Sequence, residues 1–140
     1  MISTQDSFDV QTAGGSEVRN ITDEVAACVA RGGLRSGLAT VFVVGSTAGI
    51  TTTEYEPGLA RHDLKAAFER LAPEDGVYRH EETWKDDNGH SHVRAALLGP
   101  SLAVPVAAGR LTLGQWQQIV LIDFDTRPRQ RRVVVQLLGT

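Results

Sequence analysis

The sequence predicts an α+β domain: a mostly antiparallel, mixed sheet with two main helices packed on one face. Apolar residues recur at helical spacing in only two segments, around Val25 and around Phe68. The second half strings several β-branched runs together with no helix between them, which argues against a doubly wound alternation. A chain of 140 residues, 41% hydrophobic and 22% charged, fits one domain over residues 1–140 with its own core.

Each element has its own signal. Ser7 to Thr12 alternates Phe8 and Val10 with Asp9 and Gln11 and reads as a strand. Gly14 and Gly15 form a turn, and Val18 to Ile21 a second, short strand. Thr22 is the expected N-cap of the first helix, with Asp23 and Glu24 suited to its dipole. Ile21, Val25, Cys28 and Val29 share one face of that helix, and Gly32-Gly33 ends it. The apolar run Leu38 to Val44 predicts a strand buried on both faces. A Gly45–Gly49 connection then leads into a strand over Ile50 to Tyr55. Pro57 suits the first turn of the second helix, whose stripe is Leu64, Ala67, Phe68 and Leu71 and whose stop is Pro73. Glu74 to Gly89 reads as a long polar loop. Strands are expected over Val93–Leu98, over Ser101–Val106 with Pro105 marking an edge or bulge, and over Leu111–Leu113 after a turn at Ala108-Gly109. Gln117–Asp125 and Arg132–Leu138 complete the sheet.

Composition excludes some functions. A formal charge of −3 argues against nucleic acid as a partner. Arg127, Arg129, Arg131 and Arg132 read as a solvated strand face, with an anion or subunit contact as the alternative. One cysteine, Cys28, allows no internal disulfide and sits where buried filler is expected. No run approaches the roughly 18 apolar residues of a membrane span, and the N-terminus lacks a basic-then-apolar signal pattern. The expected location is the cytoplasm.

Polar chemistry concentrates between Asp86 and Ser101, where Asn88, His90 and His92 follow two carboxylates. The His-x-His spacing occurs in metal sites, but by itself it reads first as solvated loop histidines. His80, beside Glu81 and Glu82, strengthens a metal or acid–base reading. His62, among charged neighbours, reads as an exposed helix residue. Glu54 and Asp63 form a carboxylate pair suited to a base or a cation, or else a dipole partner and an exposed charge. Gly45-Ser46-Thr47-Ala48-Gly49 is small enough to admit an anion, although a tight strand connection explains it as well. Trp116 and Gln117 read either as an edge aromatic with its neighbour or as a pocket wall with a ligand-binding amide.

Taken together, VFVVGSTAGITTTEYEPGL, RHDL, ERLAP, YRH, NGHSHVRAALLGPSLAVPV, GRLTLGQWQQIVLIDFD and RRVVVQLLG resemble the YjbQ-like family, the secondary thiamine-phosphate synthase family. The match covers nearly the whole chain, and the number and order of these segments make it specific. The resemblance implies a compact α+β domain that assembles as a homotrimer with a polar pocket near subunit contacts. Pocket residues carry over to Glu54, Asp63, His80, Asn88, His92 and Gln117, while His90 is demoted. Many members start the hydroxyl-rich run with histidine where this chain has Gly45, and Thr53-Glu54 stands where an Asn-Glu pair is common. The implied activity joins a pyrimidine pyrophosphate to a thiazole phosphate, giving thiamine phosphate and pyrophosphate. The expected roles are His80, His92, Glu54 and Asp63 in catalysis, and Ser46, Thr47, Asn88 and Gln117 in holding a small phosphorylated ligand. His80 and His92 would hold any divalent metal, zinc or magnesium. A non-catalytic ligand-binding or scaffolding trimer and a metal-dependent hydrolase are the alternatives.

Overall fold

The computed structural model describes residues 1–140. The order is β1 (Ile2–Thr12), β2 (Glu17–Asn20), α1 (Thr22–Gly32), β3 (Ser36–Val44), β4 (Ala48–Glu54), a π-helical turn (Leu59–Asp63) and α2 (Leu64–Leu71). It continues with α3 (His80–Trp84), α4 (Gly89–Leu98), β5 (Ser101–Ala107), β6 (Arg110–Leu111), β7 (Gln117–Asp123) and β8 (Arg129–Gly139). The α+β class holds, but the strands divide into two antiparallel sheets. One has the order β1-β8-β3-β5-β6, the other β2-β7-β4.

The sheets share a core. Ala39, Val41 and Val43 of β3 and Val133, Val135 and Leu137 of β8 pack with Ile50, Ile119 and Leu121 from the smaller sheet. Val25, Cys28 and Val29 of α1 join them, as the helical period requires. Full burial of each large aliphatic side chain is worth about 1.5–3 kcal/mol. The other face of β7 carries Val120 and Ile122, which with Phe124 meet Ala60, Leu64, Phe68 and Ala95 from the helical layer. Strand β7 is thus buried on both faces, which explains its unbroken apolar run.

Several expectations are corrected. Strand β3 is not buried on both faces: Leu38, Phe42 and Val44 are 45%, 42% and 50% exposed. An apolar outer face gives the same sequence pattern as a doubly buried strand. Val93–Leu98 is helical, within α4. Its buried residues include His90, Ser91, Arg94 and Ala95, so the inward face is largely polar and an apolar count misses the helical period. Glu74–Gly89 is not all loop, since α3 lies inside it. Thr22 is the first helical residue rather than the cap. Asn20 Oδ1 accepts from the Thr22 amide, and the Thr22 hydroxyl accepts from Ile119 N and so pins α1 to β7. Leu71 is exposed, and β6 covers only Arg110–Leu111.

Candidate functional site

The end of β7 delivers Asp123 beside the start of β4, in register with Ala48. The chain turns after Asp125 and returns as β8 with Arg129 and Arg131. Opposite charges therefore bracket one turn and close on each other. Arg131 Nε and Nη2 donate to the fully buried Asp123 carboxylate at 2.6 and 2.9 Å. The Thr12 hydroxyl donates to Asp123 at 2.5 Å. Asp125 accepts from the Thr47 hydroxyl at 3.0 Å, Arg129 Nε at 2.9 Å and Asn88 Nδ2 at 3.4 Å. Burial opposes the charge on Asp125, but hydrogen bonds from Thr126 N, Thr47, Asn88 and Arg129 outweigh it and hold the carboxyl below its usual range.

One edge of Arg131 is left over. Nε and Nη2 are used, whereas Nη1 donates to no protein group. It lies under Gly45, where a Cβ would stand 2.7 Å from Nη1, at a φ of +138° that disfavours any side chain. Glycine thus leaves a notch above a guanidinium whose orientation is locked by Asp123.

Helix α4 brings the histidines to this end. Asn88, at its N-cap, and His92 lie one turn apart on one face; His90 and Arg94 lie one turn apart on another. Glu81 Oε1 accepts from Gly89 N at 2.6 Å, which ties α3 to the start of α4. This places the His80 ring against His92, with centroids 4.6 Å apart and planes at 46°. His80 Nδ1 and Asn88 Oδ1 are buried without hydrogen-bond partners. Buried polar atoms are rarely left so, and these two would accept a ligand's contacts at little desolvation cost.

The expected residues thus separate into two groups. His80, His92, Asn88 and Thr47 gather at the Asp123 end of β7, with Ser46 exposed beside them. Glu54 and Gln117 pair with each other at the opposite end of β4 and β7, roughly 20 Å away at strand rise. Gln117 braces its own turn: Nε2 donates to Thr52 Oγ1 and Oε1 accepts from Gly114 N, both at 3.0 Å. Glu54 lines a separate cavity of about 480 Å³ with Trp116 and Gln118. Asp63 is exposed on the π-helical turn and pairs with His62 at 2.8 Å, so it makes no pair with Glu54. No group of three or more His, Cys, Asp or Glu side chains is placed to hold a metal; beside the two imidazoles only the Glu81 carboxylate comes near, 3.7 Å from His80 Nδ1.

Sequence reading missed Asp123, Asp125 and Arg131. Arg131, taken with its neighbours for a solvated face, is only 7% exposed. The signal was the pair of i, i+2 repeats, Asp123-x-Asp125 and Arg129-x-Arg131, of opposite sign across a turn.

No helix is long and apolar enough to cross a membrane. The model of the family described as UPF0047 protein YjbQ-like matches residues 6–140. A UPF0047 protein from Archaeoglobus fulgidus is 40% identical over 129 residues, 92% of this chain and 97% of that one. The UPF0047 protein YugU from Bacillus subtilis is 33% identical over 95% of this chain and 98% of its own. Among solved structures, a hypothetical protein from Aeropyrum pernix K1 superposes with a TM-score of 0.90 at 32% identity, covering 98% of this chain and 99% of that one. A YbjQ-like protein of unknown function from Sulfolobus solfataricus P2 gives a TM-score of 0.88 at 31% identity, with 99% of each chain covered. Motif order, family model and fold agree, and the chain belongs to the YjbQ-like UPF0047 family.

Proposed function

We propose that the polar surface at the Asp123 end of β7 takes a small phosphorylated substrate, and that the protein is a transferase of the secondary thiamine-phosphate synthase kind. The observation that carries this reading is Arg131 Nη1, a cationic donor held rigid by a buried carboxylate and open only through the Gly45 notch. Such a preorganised donor suits charge that develops on a leaving group. In the proposed reaction the C–O bond to pyrophosphate breaks with its electron pair staying on the oxygen, and the thiazole nitrogen forms the new C–N bond. Arg131 and the exposed Ser46 hydroxyl would hold the departing phosphates. His80 or His92 would supply a proton to them as a general acid.

Glu54 and Gln117 enter this reading through a neighbouring copy. Leu38, Phe42, Val44 and Leu138 leave an apolar strip on the outer face of the larger sheet, and such strips mark interaction surfaces. A homotrimer that covers the strip would bring the far end of β7 from one subunit towards the histidines of the next. Zinc or magnesium at His80 and His92 would need further donors from water, substrate or that neighbour, because catalytic zinc takes three protein ligands. The proposed roles above pass through no metal.

The test is pyrophosphate release from the pyrimidine and thiazole substrates, with the Arg131→Lys and His92→Ala variants alongside. A 10²–10⁴-fold loss in His92→Ala with an intact fold supports the reading. Full rates in both variants overturn it. A non-catalytic binding trimer is favoured by Gly45, which keeps the cation and omits the histidine; tight pyrophosphate binding with no turnover in the wild type would establish it.

A further inference from the structure

The face of α4 turned away from His92 lines one cavity through His90 and Arg94, and that cavity shares Gly14, Gly15 and Lys65 with a second one farther out. The outer one, about 430 Å³, is lined by Arg19, Arg61 and Lys65 with the Tyr55 ring and with Glu17, whose carboxylate lies 3.5 Å from Arg19 Nη1. Arg61 and Lys65 stand one helical turn apart, and neither forms an ion pair within the chain. The inner one, about 170 Å³, is almost wholly polar and reaches His90, Glu74 and Asp125.

The two ends differ in chemistry. The outer end offers cationic donors. At the inner end Arg94 already spends one N–H from each of its three nitrogens on the protein, donating to Ala72 O, Ser16 Oγ and Glu69. His90 is 3% exposed, and its Nδ1 is buried without a partner. The Ser91 hydroxyl donates to Phe124 O, so its 3.4 Å contact with His90 Nε2 favours the tautomer protonated at Nε2. Nδ1 is then a lone pair without a donor. Burial, reinforced by the Arg94 charge, pushes the His90 pKa down and keeps the ring neutral. Glu74 and Asp125 add acceptors beside it. The wall between the ends is bare backbone. Gly14 and Gly15 both have positive φ, and a Cβ on Gly14 would strike Asp125 O, so no side chain can fill the trough there.

We propose that this trough is a second ligand site, separate from the His80–His92 surface, for a small phosphorylated polyol. The phosphate lies at Arg61, Lys65 and Arg19, and a hydroxyl donates to His90 Nδ1. Together the cavities have the size of a small-molecule pocket. Cation pairs on a helix are common; a buried, unpartnered acceptor on a residue that lines the adjoining cavity is not explained by solubility or packing.

The test is titration of the full-length chain with glycerol 3-phosphate, ribose 5-phosphate and glucose 6-phosphate, against inorganic phosphate and free ribose, followed by backbone amide and histidine-ring NMR. At least one sugar or glycerol phosphate should saturate, bind at least tenfold more tightly than phosphate or ribose, and shift Gly14, Gly15 and the His90 ring. The Arg61→Ala/Lys65→Ala double variant, both residues being exposed, should weaken it at least tenfold. His92→Ala should leave it unchanged, which separates this site from the proposed catalytic surface. No tighter binding by any of the three, shifts confined to Asn88 and His92, or unchanged affinity in the double variant overturns the proposal.

Discussion

The two faces of α4 carry the same residue types and use them differently. On one face Asn88 and His92 gather with His80, and His80 Nδ1 and Asn88 Oδ1 are left unpaired. On the other, Arg94 is 3% exposed and spends its donors on three protein partners, which fixes the helix against the loop at Ala72 and the turn at Ser16. Burial decides the difference. A fully buried cation must be matched within the protein, whereas a half-exposed histidine can wait for a ligand. Arg131 belongs to both regimes, anchored at Nε and Nη2 and open at Nη1.

The contrast can be broken most severely at Arg131. Arg131→Met leaves the Asp123 carboxylate buried without its cation, and loss of one partner of such a pair costs about 3–5 kcal/mol. Denaturant unfolding should show that loss; a cost under about 1 kcal/mol would mean the network is not anchored as described. Next comes Gly45→His, which introduces the residue that the family resemblance leads one to expect there. It forces a side chain into a φ of +138° and against Arg131 Nη1, so a destabilisation of about 1–3 kcal/mol is expected. His92→Ala should stay within about 1 kcal/mol of wild type, because its ring is not part of a closed network.

The smallest effect is a pH slope. The folded-state pKa of His90 is pushed below its ordinary 6.5, so between the two values the unfolded chain binds more protons. Stability should therefore fall as pH drops below about 6.5 through that window. His90→Gln should flatten this part of the profile. Asp125, whose carboxyl is lowered from 3.8, contributes stability that is present above that value and is lost only as the pH falls further. An unchanged slope near pH 6 in His90→Gln would contradict the burial argument.

Much of this was legible in the sequence. The period of α1, the hairpin at Ala108-Gly109 and the strand β7 follow from local pattern. The pairing of His80 with His92 was expected through resemblance rather than spacing, and the structure places the rings together. What stayed hidden depends on partners remote in sequence. α4 looked like a strand because its buried face is made of His90, Ser91 and Arg94, whose burial is possible only with acceptors from Phe124, Ala72 and Glu69. Arg131 looks solvated when the arginines are read as a cluster by themselves, without the Asp123-x-Asp125 repeat across the turn that pairs with them. Glu54 and Gln117 read as neighbours of the histidines, yet the length of β7 holds them apart within one chain.

The most direct measurement compares turnover by His92→Ala and His90→Gln, each checked for folding, using pyrophosphate release from the pyrimidine and thiazole substrates. The account predicts that His92→Ala loses at least 10²-fold while His90→Gln stays within a few-fold of wild type. The reverse outcome, with His92→Ala active and His90→Gln inactive, would place the chemistry on the other face of α4 and contradict it.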